Sequence, residues 1–308
     1  MYCARAQYTW MVYSDVVGLA RLMGGNDIAI QRLDAFFRNP DGSFDFSGVK
    51  STRYDPTNEP DIQTPFIYNY LGAAYKTQET VRAELDQLWM NTTGGIPGND
   101  DAGTMSAWYV FGALGLYPTI PTRADLVLSS PLFPRAVIHL GSGKKLTIEA
   151  PQASSANKYV QGLTVRGKAT NKPWIPASMV ETGGTLVYAL GSTPDKSWGS
   201  GPGDVPPQAT APQVVRGSDF TVRAGTRYSG PVATVTDDDS PAAALSATVD
   251  WGDGSRSTGT VTGAGGQFTV TGRHTYQQPG QYTVTTTVSD PGGLTVVSTT
   301  AVATVTTR

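Results

Sequence analysis

The sequence is poor in the residues that build disulfides and zinc sites. It contains one cysteine, Cys3, and two histidines among 308 residues. A single cysteine cannot form a disulfide within the chain, and the sequence has no cluster of cysteine and histidine at metal-ligand spacing. An internal disulfide is therefore excluded, and a structural zinc site is not expected.

Basic charge and long apolar runs are also scarce. The formal net charge is −2 at pH 7, so no excess of lysine and arginine is available to neutralise phosphates. The sequence has no run of about 18 apolar residues, the length that a membrane-spanning helix needs. We therefore expect no nucleic-acid partner and no membrane span. The 39% hydrophobic and 16% charged residues are typical of a globular protein, and the length allows two or three domains.

The most informative stretch is PGNDDAGTMSAWYVFGALGLYP, residues 97–118. Its polar residues Asn99, Asp100 and Asp101 precede a segment that is apolar on every side, which predicts a helix buried all round. A helix start needs one capping side chain of the Ser, Thr, Asp or Asn type, so at least one of the three is surplus to capping. On residue types alone, one aspartate caps the helix and the other faces water.

Helical periodicity dominates the first 117 residues. The predicted elements are two helices in residues 8–38 with a turn at Gly24-Gly25-Asn26, a loop over residues 39–60, two helices in residues 61–90 broken near Gly72 and Lys76, and a helix from about Ala102. A loop this long inside a compact helical domain is usually functional or disordered.

Alternating periodicity replaces the helical pattern from about Leu126. The runs RAVIHL, KKLTIEA and TLVYAL are bounded by glycine and predict the strands of a small β-sandwich. The glycine- and proline-rich residues 199–212 predict a linker. In the last hundred residues, strand-like runs recur with turn signals about every 8 to 12 residues, which predicts a separate β-sandwich.

Four strings carry a family resemblance: QYTW at residues 7–10, NEP at 58–60, KTQ at 76–78 and the long stretch at 97–118. Together they resemble glycoside hydrolase family 92, the calcium-dependent exo-acting α-mannosidases. The resemblance covers about residues 5–200 and implies a barrel of six helix pairs followed by a β-sandwich. The strings WGDG, HTY and VSD in the last hundred residues resemble a PKD domain, an immunoglobulin-like module.

The expected fold is thus a multidomain α plus β protein. Its predicted parts are the C-terminal half of an (α/α)6 catalytic barrel at 1–119, a small β-sandwich of the catalytic unit at 120–198, a linker at 199–212 and a PKD-like β-sandwich at 213–308.

The resemblance also implies a chemistry and a set of site residues. Inverting glycosidases use one carboxyl group as general acid and another as general base. The family's motif places the base at Asp101, with Asp100 or Asn99 assisting. It implies a Ca²⁺ cofactor and an α-mannose-containing glycan as substrate, with Glu59, Asn58, Asn99 and Trp10 as substrate-binding residues and Gln7 and Asp61 as candidate metal ligands. Asn58, Glu59 and Asn99 also carry oxygens that suit calcium, and spacing does not rank them against Gln7 and Asp61. Any one of these residues could instead be a cap or turn residue, and without the flanking motif Glu59 is better explained as a helix N-terminal carboxylate.

The catalytic acid has no counterpart in the sequence. In the family a glutamate lies a few residues before the glutamine of QYTW; here that place falls near Tyr2, and no acidic residue precedes Asp15. The resemblance therefore implies a truncated form whose partner is the missing N-terminal half of the catalytic domain. The first residues also lack a secretory signal pattern, although the family resemblance implies secretion. Tyr13-Ser14 stands where the family often has proline-histidine, and NEPDIQ lacks the histidine of the family's version associated with α-1,2 linkages. These departures leave open which glycosidic linkage is preferred.

Two other functions remain open from the sequence. The chain could be a non-catalytic protein that binds a carbohydrate or a surface through its β-modules, or the PKD-like module could serve only as a spacer.

Overall fold

The computed structural model describes residues 5–48, 52–121, 123–201, 203–208, 213–237, 242–289 and 295–307. The chain divides into two compact units, Met1–Gln208 and Ala209–Arg308. The first unit combines helices with two sheets and the second consists mainly of strands, so the prediction of a multidomain α plus β protein is confirmed. In the described residues, each helix is too short or too polar to cross a bilayer.

The first unit begins with short helices and ends with strands. Its helices are α1 (Arg5–Tyr8), α2 (Val16–Met23), α3 (Asn26–Phe37), α4 (Ala74–Leu88), α5 (Thr104–Leu114) and α6 (Ser178–Thr182), with 3₁₀ helices at Tyr13–Asp15 and Thr64–Leu71. The Asp15 carboxylate accepts a hydrogen bond from the Gly18 amide at 2.8 Å, so α2 begins after Asp15 and not near residue 8 as predicted. Gly24, at φ 108°, ends α2 where the glycine pair predicted a turn.

Two helical predictions are corrected in detail. The predicted break at Gly72 is confirmed, because this residue is left-handed (φ 76°) and caps the preceding segment, but that segment is a 3₁₀ helix whose eight residues are all buried. The prediction that α5 is buried all round is wrong. Only Met105, Trp108, Gly112 and Ala113 are buried, and Val110 is 54% exposed because α5 turns one face to solvent.

The strands of the first unit form two sheets. They are β1 (Leu116–Tyr117), β2 (Leu126–Leu128), β3 (Arg135–His139), β4 (Lys145–Glu149), β5 (Tyr159–Val165), β6 (Lys168–Thr170), β7 (Trp174–Ile175) and β8 (Gly184–Gly191). One sheet has the order β1-β2-β7 and the other β3-β4-β8-β5-β6, in which only β4 and β8 are parallel. The runs predicted as strands from alternation are β3, β4 and β8.

Helix α4 connects the helices to the five-stranded sheet through buried polar side chains. The Gln78 Oε1 atom accepts a hydrogen bond from the Val160 amide of β5 at 3.0 Å. The Arg82 side chain is 1% exposed and donates to the carbonyls of Pro131 (2.7 Å) and Ser154 (2.9 Å). Buried polar groups are tolerated only when they are paired, so these bonds fix how α4 lies against the strands.

The last residues of the first unit pack on it. The Trp174 indole donates to the Asp204 carbonyl at 3.0 Å, and the Val17 amide donates to Gln208 Oε1 at 2.9 Å. These bonds attach residues 203–208 of the predicted linker to the first unit, whereas residues 209–212 lie outside the described part of the chain.

The second unit is a two-layer β-structure. Its strands are β9 (Gln213–Arg216), β10 (Phe220–Arg223), β11 (Arg227–Thr236), β12 (Ser246–Asp250), β13 (Arg256–Ala264), β14 (Gln267–Thr275), β15 (Gly280–Ser289) and β16 (Thr295–Thr306), in the order β10-β16-β15-β12-β13-β14-β11-β9. Strand β13 pairs with β12 up to Gly259 and with β14 from Thr260 onward. A Cβ at Gly259 would lie 2.6 Å from Val270 Cγ1, so glycine at this change of partner leaves room for the Val270 side chain.

The core of the second unit is built around Trp251, which is fully buried. The His274 ring stacks on the indole at a centroid distance of 4.9 Å, and the buried Tyr276 hydroxyl donates to the Trp251 carbonyl at 3.1 Å. The His274 Nε2 atom also pairs with Asp253 Oδ2 at 2.7 Å, so the ring is held both by the core and by the turn at Asp253.

Removing the Tyr276 hydroxyl tests this core. Tyr276→Phe is expected to lower the free energy of unfolding of the second unit by about 1–1.5 kcal/mol, because the buried Trp251 carbonyl loses its donor while the ring packing is kept. Urea unfolding followed by tryptophan fluorescence measures the change. Tyr282→Phe is the matched control, since that hydroxyl bonds a carbonyl, that of Gln278, in an exposed setting. Equal losses in both variants would contradict the assignment.

Candidate active site

The first element of the site is the loop between Tyr54 and the 3₁₀ helix at Thr64, called the 55–62 loop. Successive backbone bonds shape it: the Asn58 amide donates to the Asp55 carbonyl (3.2 Å), and the Asp61 amide donates to the Asn58 carbonyl (2.9 Å). Asn58 is 6% exposed, whereas Glu59 is exposed. The loop therefore presents the Glu59 carboxylate to solvent and keeps Asn58 against the protein.

Asp61 anchors this loop from inside. Its side chain is fully buried, and Oδ2 accepts a hydrogen bond from the Asp55 amide at 2.9 Å. Burial raises the pKa of Asp61 to about 7; the hydrogen bond from the Asp55 amide opposes this, the Asp55 charge adds to it, and the Gln7 side chain opposes it more weakly. Asp61 therefore exchanges its proton near neutral pH.

Two residues from the N-terminal segment lie against the same loop. Gln7 is 2% exposed and donates to the Arg53 carbonyl at 3.5 Å. The Tyr13 hydroxyl donates to the Pro60 carbonyl, and burial together with the Asp61 charge raises the pKa of Tyr13. The structure therefore brings Gln7 and Asp61, the two predicted metal ligands, to one side of the loop that carries Asn58 and Glu59.

The second element is the 97–103 loop that leads into α5. The N-cap of α5 is Gly103, which has no side chain, and the Asp100 Oδ1 atom, three residues earlier, accepts a hydrogen bond from the first-turn amide of Ser106 at 2.8 Å. Asp100 therefore takes the capping role from outside the N-cap position. Asp101 is exposed, and its Oδ1 accepts a hydrogen bond from the Asn99 side-chain amide. Of the two aspartates, the structure leaves Asp101 as the one surplus to capping.

The backbone at this point is unusual. Asp101 (φ 42°), Ala102 (φ 56°) and Gly103 (φ 95°) are all left-handed. Residues other than glycine pay an energetic cost in this region, and such conformations concentrate at functional sites. The Thr104 hydroxyl and amide both donate to the Asp101 carbonyl, at 2.8 and 3.2 Å, and hold this turn at the start of α5.

The cap makes a testable contribution to stability. Asp100→Ala is expected to lower the free energy of unfolding of the first unit by about 1 kcal/mol, because the Ser106 amide loses its acceptor. Asp100→Asn, which keeps a side-chain oxygen, is expected to lose much less. Urea unfolding of both variants provides the comparison, and an equal loss in the two would argue against a capping role.

The two loops touch each other. A Cβ at Gly98 would lie 2.6 Å from Thr57 Cβ, so the loops meet at a place where only glycine fits. The fully buried Trp108 of α5 donates its indole N–H to the Ile62 carbonyl at 2.7 Å. The sequence motifs at 58–60 and 97–103 are therefore held side by side.

Trp10 occupies a different position. It is 4% exposed and packs against Phe36 at a centroid distance of 6.5 Å. It lines a pocket of about 230 Å³ together with Ala6, Thr9, Arg32, Ala35, Phe36 and Thr52. Neither Glu59 nor Asp101 lines this pocket.

The buried pair Glu84 and Tyr54 was missed by the sequence reasoning. The Tyr54 hydroxyl donates to Glu84 Oε1 at 2.7 Å, and both residues are fully buried. Burial raises the pKa of Glu84 well above its ordinary value, against the lowering effect of the Tyr54 hydrogen bond. The signal was present, because Glu84 follows Thr77 and Val81 at helical spacing on the buried stripe of α4.

The donor set suits calcium in its chemistry. Gln7 Oε1, Asp61 Oδ1 and Gln63 Oε1 are buried oxygens without a hydrogen-bond partner within the described residues. Calcium prefers carboxylate and amide oxygens of this kind. Over the same residues, no group of three or more histidine, cysteine, aspartate or glutamate side chains is placed to hold a metal ion, so a calcium ion here would depend on amide oxygens and water. The position predicted for the catalytic acid, near Tyr2, lies outside the described residues.

Comparison with known proteins places these motifs in a wider setting. The family model described as the glycosyl hydrolase family 92 catalytic domain matches residues 3–192, and a PKD domain model matches residues 209–305. A protein of Arthroderma benhamiae, named an uncharacterized secreted glycosidase, is 32% identical over 205 residues, which are 66% of this chain and 25% of that protein.

Solved structures give the same picture. An inverting mannosidase of family GH92 from Bacteroides thetaiotaomicron is 29% identical with a TM-score of 0.61, over 67% of this chain and 30% of that one. A GH92 α-mannosidase from the same organism, solved in complex with mannoimidazole, is 32% identical with a TM-score of 0.60, over 66% and 27%. The chain therefore spans between a quarter and a third of the length of these relatives.

Proposed function

The chain belongs to glycosyl hydrolase family 92, and from this premise we propose that its first unit acts on α-mannosides of glycans as an exo-α-mannosidase that inverts the anomeric carbon. Membership supports a glycosidase, and two relatives are described as mannosidases. One observation carries the assignment of the base: Asp101 is exposed and surplus to the cap of α5, beside the loop that presents Glu59.

The general base in this proposal is Asp101. Its Oδ1 is engaged by Asn99, so Oδ2 is the oxygen that we assign to the attacking water. Proton transfer from that water to the carboxylate gives the nucleophile, while a second carboxyl group protonates the leaving oxygen. Asp100 supports this geometry by fixing the start of α5.

Substrate contacts fall to the neighbouring loop. The exposed Glu59 carboxylate accepts hydrogen bonds from sugar hydroxyls, and Asn58, one residue earlier, contributes from the protein side. Carboxylates suit this task because charged acceptors make stronger hydrogen bonds than neutral ones. Asn99 is assigned to orienting Asp101 rather than to a direct sugar contact.

The general acid is not assigned to a residue of this chain. Inverting enzymes keep their two carboxyl groups about 6.5–9.5 Å apart so that water fits between them. The relatives are three to four times as long as the region that matches this chain. We therefore propose that the acid comes from a part of the catalytic domain that those relatives have outside the match, as the N-terminal position predicted from the sequence suggests.

Calcium is part of the proposal as the metal that Gln7 and Asp61 would hold. A bound calcium ion supplies positive charge for gripping sugar hydroxyls. Ionised Asp61 is the form that would bind it, so calcium affinity is expected to rise with pH through about 7. Calcium titration monitored by thermal unfolding at pH 6 and pH 8 measures this, with Asp61→Asn as the variant expected to lose the response.

The activity is tested with an aryl α-mannoside in the presence of calcium, on a longer protein that contains this chain and the general acid. An inverting enzyme is expected to release β-mannose as the first product, which proton NMR detects. Chelation of calcium by EDTA is expected to lower the rate of hydrolysis reversibly. Appearance of α-mannose first would contradict inversion. No hydrolysis by the chain, together with hydrolysis by a longer protein that contains it, would confirm that the acid lies outside these residues.

A binding role for the second unit is the alternative that the sequence left open. Its aromatic rings pack on one another, as Phe220 does on Tyr228 at a centroid distance of 3.7 Å. This packing supports a spacer role over a carbohydrate platform. Retention of the chain on immobilised mannan that survives Asp101→Asn and is lost on Tyr228→Ala would favour binding instead.

We also propose that the protein is secreted, in line with the name of its relative from Arthroderma benhamiae.

A further inference from the structure

The buried carboxyl of Glu84 has no role in the proposed chemistry, yet it bonds Tyr54, the residue directly before the 55–62 loop. It lies on α4, is fully buried and accepts one hydrogen bond, from the Tyr54 hydroxyl at 2.7 Å. Its second oxygen, Oε2, is without a hydrogen-bond partner, and within the described residues no lysine or arginine forms an ion pair with it. Burying an ionised and unpaired carboxylate costs several kcal/mol, so this environment favours the neutral acid.

Tyr54 joins Glu84 to the backbone that enters the 55–62 loop. Its ring packs against Phe37 at 4.8 Å between centroids and is fully buried. Its amide donates to the Phe36 carbonyl at 3.1 Å, and its carbonyl accepts from the Gly48 amide at 3.1 Å. Tyr54 is thus fixed to α3 through its backbone and to α4 through its hydroxyl.

The position of Tyr54 is transmitted directly to the loop. The next residue, Asp55, donates its amide to Asp61 Oδ2 and accepts the Asn58 amide on its carbonyl. These two bonds close the turn on which Asn58 and Glu59 lie. The other end of the loop is held independently by the bond from Trp108 to the Ile62 carbonyl.

We propose that Glu84 is a positioning residue: through its hydrogen bond to Tyr54 it fixes the entry of the 55–62 loop and so the placement of Asn58 and Glu59. The role of Asn58 and Glu59 in sugar binding rests on the proposed function, whereas the effect of the Glu84–Tyr54 hydrogen bond on the loop does not. The sequence distance between Glu84 and the loop shows why a local motif would not reveal it.

The test uses hydrogen exchange of loop amides in the full chain. Each of the amides of Asp55, Asn58 and Asp61 donates a hydrogen bond within the loop. Glu84→Gln keeps a neutral side chain of the same shape and is expected to leave their exchange unchanged. In Tyr54→Phe/Glu84→Leu, both polar partners are replaced by apolar groups. This double change is expected to leave the urea midpoint of the first unit near that of the wild type, yet to raise exchange of these amides by roughly three- to tenfold.

A purely structural role predicts a different pattern. In that case exchange would rise equally in amides of β5 and β8, which serve as the reference, and would follow the loss of global stability. Unchanged loop exchange in the double variant would overturn the proposal, as would a Glu84→Gln variant whose loop amides exchange as fast as those of the double variant.

Kinetics provide a second readout. If the proposed function holds, the double variant is expected to raise KM for an aryl α-mannoside more than it lowers kcat, because the loop holds the sugar and does not carry the base. These rates are measured in a longer protein that contains this chain and the general acid. If that longer protein shows no hydrolysis, the proposed function fails, while the exchange result still decides whether Glu84 positions the loop.

Discussion

In a longer protein that contains this chain and the general acid, Asp101→Asn is expected to lower kcat/KM for an aryl α-mannoside by roughly 10²–10⁴-fold, the usual loss on removing one general base. Asparagine cannot take the proton of the attacking water, which is the task assigned to Asp101 Oδ2. The substitution suits the backbone, since asparagine tolerates the left-handed conformation that residue 101 adopts at φ 42°. The loss should therefore reflect chemistry and not unfolding.

The measurement separates binding from catalysis. One relative binds mannoimidazole. The affinity of Asp101→Asn for this ligand is expected to stay within a few-fold of the wild type, because the 55–62 loop is unaltered. Asp27→Asn, at an exposed site on the first turn of α3, is the matched control for the loss of one negative charge. An Asp101→Asn variant with wild-type kcat would remove this residue from the mechanism. Asp100→Asn is expected to show a smaller loss, through the altered start of α5.

Local patterns predicted much of this fold because they depend on neighbours in sequence. The alternation in KKLTIEA gave strand β4, and the glycine pair before Asn26 marked the end of α2, since period and turn chemistry act within a few residues. The surplus of polar residues before α5 predicted that one of them would be free of capping, and hydrogen bonding to Ser106 then showed which. The site assignments themselves remain predictions for experiment.

Features that arise from long-range packing were not predictable in this way. The 3₁₀ form of residues 64–71 accompanies burial of all eight residues, so tertiary contacts outweighed the helical pattern. The exposed face of α5 depends on what lies beside Val110, which its own sequence does not specify. Likewise, helical spacing places Glu84 on the buried stripe of α4, but its partner Tyr54 lies 30 positions away and no local pattern identifies it.

The buried acid also makes the stability of the first unit depend on pH in an unusual direction. Burial raises the pKa of Glu84 well above its value of about 4.3 in an unfolded chain. Between these two values the folded state binds one more proton than the unfolded state. The contribution of Glu84 is therefore fully present below about pH 4.3 and is lost as the pH rises toward the folded pKa, at about 1.4 kcal/mol per pH unit. Asp61 acts with the same sign up to its folded pKa of about 7.

Urea unfolding of the first unit at pH 5, 6, 7 and 8 in the presence of EDTA measures this slope. The free energy of unfolding of the wild type is expected to fall steadily over this range. Glu84→Gln cannot ionise, so it should lose the pH dependence that Glu84 contributes to the free energy of unfolding. Relative to the wild type, its stability should increase with pH, because folding of the wild type then requires either a buried charge or the uptake of a proton. Parallel pH profiles for the two proteins would mean that Glu84 is ionised in the folded state. A buried carboxylate of that kind would need a cation beside it, and the described residues provide only the Tyr54 hydroxyl.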